Sequence, residues 1–127
     1  MAGELILIVE DNEKNLKMVR DVLRFKGYQT IEAGTGEDGV RLAKERHPDL
    51  VLMDIQLPGI DGIVALGQLR ADPTTRAIPV IAVTASAMTH DRKKIMAAGF
   101  DGYQTKPIKV REFLEAVREM LDRPAGT

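Results

Sequence analysis

Three carboxylates, a hydroxyl and a lysine stand at the ends of short apolar runs. Glu10 and Asp11 follow Leu5–Val9, Asp54 follows Leu50–Met53, and Thr84 follows Val80–Val83. Lys106, just before Pro107, follows the weaker run Asp101–Gln104. A buried strand has no need of an acid at its end, so these residues ask for a chemical reason. Clustered carboxylates disfavour one another's ionisation. A hard divalent cation relieves that, and Mg²⁺ takes a few carboxylates, a backbone carbonyl and several waters. A lysine beside such a site points to an arriving dianionic group, because lysine and Mg²⁺ together neutralise phosphoryl oxygens. A carboxylate can itself be the nucleophile and form an aspartyl phosphate. Asp54 is the natural nucleophile, since it is alone on its run and faces the pair.

This chemistry depends on the elements that bring the residues together. Leu5–Val9, Leu50–Met53 and Val80–Val83 are too short for helices and apolar throughout, the pattern of parallel strands buried on both faces. Tyr28–Ala33 and Asp101–Gln104 are more polar and suit sheet edges. Between them lie helical patterns. Val110, Phe113, Leu114, Val117, Met120 and Leu121 form one amphipathic stripe, and Leu16, Val19, Val22 and Leu23 form another after Asn12, a capping residue. Thr35–Arg46 stops before Pro48, Asp61–Ala71 before Pro73, and Met88–Ala98 at Gly99. The order is β-α five times over. That predicts an α/β layer fold with right-handed crossovers, a doubly wound five-stranded parallel sheet with five helices. With the three most apolar strands inside, the strand order is 2-1-3-4-5. Ligands then bind at the carboxyl ends, where the order reverses between strands one and three. Glu10, Asp11 and Asp54 all fall at that point.

The remaining composition narrows the function classes. The 127 residues suit one domain, 1–127, with a core at about 5–121. A net charge of −1 gives no broad pull toward nucleic acid or anionic membrane. The absence of cysteine excludes disulfides and thiolate metal sites. No apolar run approaches the ~20 residues that span a bilayer, and the run Leu5–Val9, with acids on both sides, is no signal peptide. The expected location is the cytoplasm. His47 and His90 lack a second ligand and read as surface residues. Asp91–Lys94 reads as a solvated helix face. Asp61 sits beyond the turn and is a poor phosphoacceptor. Glu10-Asp11 can also cap the helix near Asn12, which does not compete with metal binding.

The stretches "LIVEDN", "LVLMDIQLPGIDG", "PVIAVTASAM" and "AAGFDGYQTKPI" resemble the receiver domain of bacterial two-component response regulators, a CheY-like, flavodoxin-like fold. The resemblance covers roughly Leu5 to Leu121 and is nearest to the single-domain DivK-type regulators. It implies that Asp54 is the phosphoacceptor and that Glu10, Asp11, Asp54 and the backbone carbonyl of Gln56 hold Mg²⁺, Glu10 largely through water. It implies that Thr84 is the switch hydroxyl, Tyr103 the switch aromatic and Lys106 the phosphoryl-binding lysine, with a cis bond to Pro107. Gln56 and Ser86 would tune the lifetime of the phosphate. The implied partners are a histidine kinase or histidine phosphotransferase and a downstream protein target, with the regulator a monomer or weak dimer and no direct contact with nucleic acid or membrane.

Rival classes fit less well. A haloacid-dehalogenase-type phosphatase carries D-x-D on its first strand, where this chain has the adjacent Glu10-Asp11. A flavodoxin-like electron carrier needs a Ser-, Thr- and Gly-rich loop there. A receiver used only for docking would lack the aspartate or the lysine, and Asp54 and Lys106 are both present. The opening Met and the end at "DRPAGT", with no output domain, favour a stand-alone regulator over one excised from a longer chain.

Overall fold

Five parallel strands alternate with five helices in the computed structural model, which describes residues 3–85 and 89–123, those at 89–91 by backbone alone. The elements are β1 (Leu5–Val9), α1 (Glu13–Phe25), β2 (Gln29–Ala33), α2 (Gly36–Arg46), β3 (Leu50–Asp54), α3 (Gly62–Ala71), β4 (Val80–Thr84), α4 (Thr89–Ala97), β5 (Gly102–Thr105) and α5 (Val110–Asp122). The sheet order is β2-β1-β3-β4-β5, all pairs parallel, as the apolarity of the runs predicts.

The continuous apolar runs follow from a sheet covered on both sides. Successive strand residues point to opposite faces. Leu7, Val9, Val51, Met53, Val80 and Ala82 therefore pack with Val40, Ala43, Ala65, Leu66, Leu69, Ile95 and Phe100 of the α2–α3–α4 layer. Ile6, Ile8, Leu50, Leu52, Ile81 and Val83 pack with Val19, Leu23, Phe113 and Val117 of α1 and α5. The two predicted amphipathic stripes bury these residues of α1 and α5 as expected. Fully burying one such side chain contributes about 1.5–3 kcal/mol, so the sheet's two faces carry most of the driving force.

The predicted boundaries shift by a residue or so where capping takes over. Asn12 caps α1 by accepting from the Asn15 N–H at 3.1 Å. Thr35 and Asp61 lie just outside α2 and α3, because their side chains accept from Asp38 N and Val64 N. Tyr28 precedes β2 because its N–H is taken by the end of α1. Tyr28 N donates to Leu23 O and Gly27 N to Arg24 O, with Gly27 at φ +93°, which is a Schellman stop. Asp101 precedes β5, and its carboxylate accepts from Val80 N at 2.8 Å and from Arg70 at 2.7 Å. Asp54 and Thr84 are the last residues of β3 and β4 rather than the first beyond them. Met88, the expected start of α4, lies outside the described residues.

Candidate functional site

Register sets the site. Val9 is paired with Met53, so the next residues, Glu10 and Asp54, emerge side by side at the carboxyl end of the sheet. They share the parity of Ile8 and Leu52 and so leave the sheet on its α1–α5 face. Both are buried, each about 5% exposed. Asp11, one residue further on, is exposed. Each of the three acids places a carboxylate oxygen within 4.8 Å of the others, the one such cluster among the described residues.

Lys106 reaches in from the β5 edge of the sheet. Its Nζ lies 2.7 Å from Glu10 Oε1 and 3.0 Å from Asp54 Oδ2. Lys106 N donates to Thr84 O at 2.8 Å, and the following bond to Pro107 is cis. The other oxygens of the acids are held by backbone groups at the starts of their own loops. Gln56 N donates to Asp54 Oδ1 at 3.2 Å, and Asn12 N to Glu10 Oε2 at 3.2 Å. Thr84 is buried at the end of β4, paired with Thr105 at the end of β5. Tyr103 is half-buried on β5, and the guanidinium of Arg92 from α4 lies 5.5 Å from its ring centroid.

The charges are unbalanced. Burial first, and the neighbouring Asp54 second, push the Glu10 carboxyl up to about 7, while Lys106 pulls it down. Burial alone would lower the Lys106 ammonium, but its bonds to Glu10 and Asp54 hold it above its ordinary value. One lysine thus serves two buried carboxylates, with a third acid at the rim. The donors are all oxygens, the set a hard divalent cation takes, and a cation there would relieve the repulsion that raises Glu10. The residues fit such an ion.

The response regulator receiver domain family matches residues 6–118 of the chain. The chain belongs to that family. Polar-differentiation response regulator DivK of Brucella ovis is 47% identical over 116 residues, 91% of this chain and 94% of that protein. The receiver domain of the Pseudomonas aeruginosa PAO1 sensor histidine kinase PA1611 superposes with a TM-score of 0.90 at 36% identity, covering 96% of this chain and all of that one. That receiver was crystallised with a magnesium ion coordinated in its active-site cleft. A CheY-like receiver domain protein from Methanospirillum hungatei JF-1 gives a TM-score of 0.84 at 31% identity, covering 95% of each chain. Receiver domains are phosphoacceptors of two-component signalling, switches rather than turnover enzymes, and this receiver carries their acidic cluster.

Of the residues singled out in the sequence, Glu10, Asp11, Asp54 and Lys106 come together directly. Thr84 and Gln56 adjoin them through the backbone bonds above, and Tyr103 stands further along β5. Ser86 and Met88 lie outside the described residues, as does the side chain of His90. His47 is exposed and ends α2 at φ 47°, in keeping with a surface role. Two features were not foreseen. Lys106 pairs with Glu10 more closely than with Asp54, and Arg92 stacks on Tyr103. The first had a signal in the sequence, since Glu10 is as close to the switch point as Asp54. The second had none, because Arg92 lies in a stretch that reads as a solvated face. Among the described residues no helix is long and apolar enough to cross a membrane.

Proposed function

We propose that this receiver is a phosphorylation-driven switch in which Asp54 accepts a phosphoryl group from the phosphohistidine of a histidine kinase or histidine phosphotransferase. The observation that carries the reading is the setting of the Asp54 carboxylate. One oxygen is held by Lys106, the other by the Gln56 N–H, and two further acids lie within reach of one shared ion. Asp54 attacks phosphorus in line. The Oδ–P bond forms as the P–N bond to the donor's imidazole breaks, and its electron pair returns to that nitrogen. Positioning and charge neutralisation do most of the work in such a transfer, so the lack of a histidine in the site is no obstacle. Glu10, Asp11, Asp54 and the Gln56 carbonyl would hold Mg²⁺, which when bound neutralises the carboxylates and the incoming phosphoryl oxygens. Lys106 binds a phosphoryl oxygen, and Thr84 donates its hydroxyl to another.

Readout follows from where these groups lead. Thr84 precedes α4, Tyr103 lies on β5, and Lys106 precedes α5. As Thr84 is drawn toward the phosphoryl group, Tyr103 turns inward and the face formed by α4, β5 and α5 changes for a downstream protein target. Lys94 and Lys109 are exposed on that face. The working unit is a single receiver domain, residues 1–127, in the cytoplasm, a monomer or weak dimer. Its only catalysis is its own phosphorylation and dephosphorylation.

Incubation with acetyl phosphate and Mg²⁺ tests the assignment. Intact mass should rise by one phosphoryl group in the wild type and stay unchanged in Asp54→Asn. An Asp54→Asn protein that still gains the mass overturns it. Rapid sustained turnover of p-nitrophenyl phosphate would instead favour an Asp-nucleophile phosphatase.

A further inference from the structure

The loop between β3 and α3 carries Gln56, and it is held from outside the acidic site by α2. Gly36, the first residue of α2, leaves no room for a side chain. A Cβ there would stand 2.7 Å from both the Cγ1 and the carbonyl oxygen of Ile60. Next to it, the Glu37 carboxylate covers Gly59, where an added Cβ would meet its oxygens at 2.6 and 2.7 Å and where φ is +76°. At the loop's far end a Cβ on Gly62 would come within 2.9 Å of Ile55 Cα and still closer to the Asp54 carbonyl oxygen. Gly62 N also donates to Ile55 O at 2.9 Å, which closes the loop on itself. Residues 55–61 are thus pinned between the first turn of α2 and the end of β3. Gly59 and Ile60 are the points of contact with α2, and Ile60 lies four residues beyond Gln56.

We infer that Gly36 is a positioning residue for the acidic site. It lets Ile60 seat against α2, and that seat sets the height of the loop whose Gln56 N–H grips Asp54 and whose Gln56 carbonyl would hold the cation. The inference rests on the functional reading above. It predicts an effect opposite to simple helix energetics. Gly36 has an ordinary helical backbone, so alanine fits its conformation and would normally stabilise the helix. Here the added methyl meets a backbone oxygen, which cannot rotate away, so the loop must move. Disturbing the groups that orient metal ligands typically costs about 10–100-fold in metal affinity, so a displacement of a few tenths of an ångström should weaken cation binding by about tenfold.

The test is Mg²⁺ titration of the ¹⁵N-labelled protein, read at the amides of Asp54, Ile55 and Gln56, beside thermal melting. Gly67→Ala is the control. Gly67 lies in α3, where a Cβ meets nothing within 4 Å, so cation affinity should not change. Gly36→Ala should weaken Mg²⁺ by about tenfold. Adding Ile60→Ala to it, which removes the clashing Cγ1, should recover part of that loss. If Gly36→Ala does not fold, Ile60→Ala alone is read in the same titration and should weaken Mg²⁺ by loosening the seat. Unchanged affinity in Gly36→Ala, or in Ile60→Ala where that variant stands in for it, overturns the inference. An equal loss in Gly67→Ala does so too, since the effect would then be general to the fold. None of these outcomes bears on Asp54 as the phosphoacceptor, which falls only if Asp54→Asn still accepts phosphate.

Discussion

At the scale of single residues, the acidic site is a charge problem left partly unsolved. Lys106 is divided between Glu10 and Asp54, and Asp11 stands at the rim with no lysine of its own among the described residues. A cation completes the balance, so Mg²⁺ should stabilise the fold as well as enable transfer. At ten times its dissociation constant a ligand adds about 1.4 kcal/mol by mass action. For a domain of this size that is a rise of several degrees in melting temperature, on the order of 3–8 °C. Asp11→Ala should abolish most of the rise. Its metal-free form should melt no lower than the wild type, because one repelling charge is gone. Differential scanning calorimetry with and without Mg²⁺ checks both statements. Equal responses in wild type and Asp11→Ala would place the ion elsewhere.

At the scale of elements, side chains that accept from backbone N–H groups set local boundaries, as Asn12, Thr35 and Asp61 do at the starts of α1, α2 and α3. The clearest case lies after α3, where Asp72 Oδ1 accepts from Thr74 Oγ1 at 2.7 Å and from Thr74 N at 2.8 Å. These bonds, the hydroxyl's first, hold the Asp72 carboxyl below its ordinary 3.8. A carboxyl lowered on folding contributes stability above its unfolded value, and loses that contribution as pH falls through the folded one. Asp72→Ala should therefore melt below the wild type at neutral pH. The gap should narrow as pH falls from about 7 toward about 3. Urea midpoints across that range measure it, and a gap that does not narrow would show that the charge of Asp72 plays no part. The same segment is tied down a second time by Arg70, whose guanidinium donates to Ile78 O at 2.7 Å and to the Asp101 carboxylate at 2.7 Å. The amino end of β4 is thereby held.

At the scale of the molecule, the question is whether one phosphoryl group can move a surface. A hydrogen bond to a charged group is worth about 1.5–3 kcal/mol net, and a neutral one about 0.5–1.5. Lys106 already bonds to both acids, so its new bond counts only in part. The differential is on the order of 2–4 kcal/mol, a population shift of roughly 30- to 1000-fold. Against it stands the stacking of Arg92 on Tyr103, about 0.5–1 kcal/mol at an exposed site. On these magnitudes the phosphoryl term would be the larger. Beryllofluoride, a mimic of the phosphoryl group, should shift amides at residues 84–90 and 100–110 as well as around Asp54. Thr84→Ala should suppress the distant shifts and keep the local ones. Shifts confined to the surroundings of Asp54 would show that the switch does not operate this way.

The α/β class, the strand order and the meeting of Glu10, Asp11 and Asp54 were legible in the sequence. Each rests on a pattern read along the chain: runs buried on both faces, five β-α alternations, and acids in the same place on two neighbouring strands. The reversal of strand order between strands one and three put Glu10, Asp11 and Asp54 together without any knowledge of what surrounds them. Tertiary structure alone decided the rest, because it depends on contacts between segments far apart in sequence. The preference of Lys106 for Glu10 depends on how the loop after β5 enters the site. The stacking of Arg92 on Tyr103 depends on where α4 lies against β5. The seat of Ile60 on Gly36 is invisible in sequence, since it is set by the distance between two backbones, and no local pattern encodes that distance.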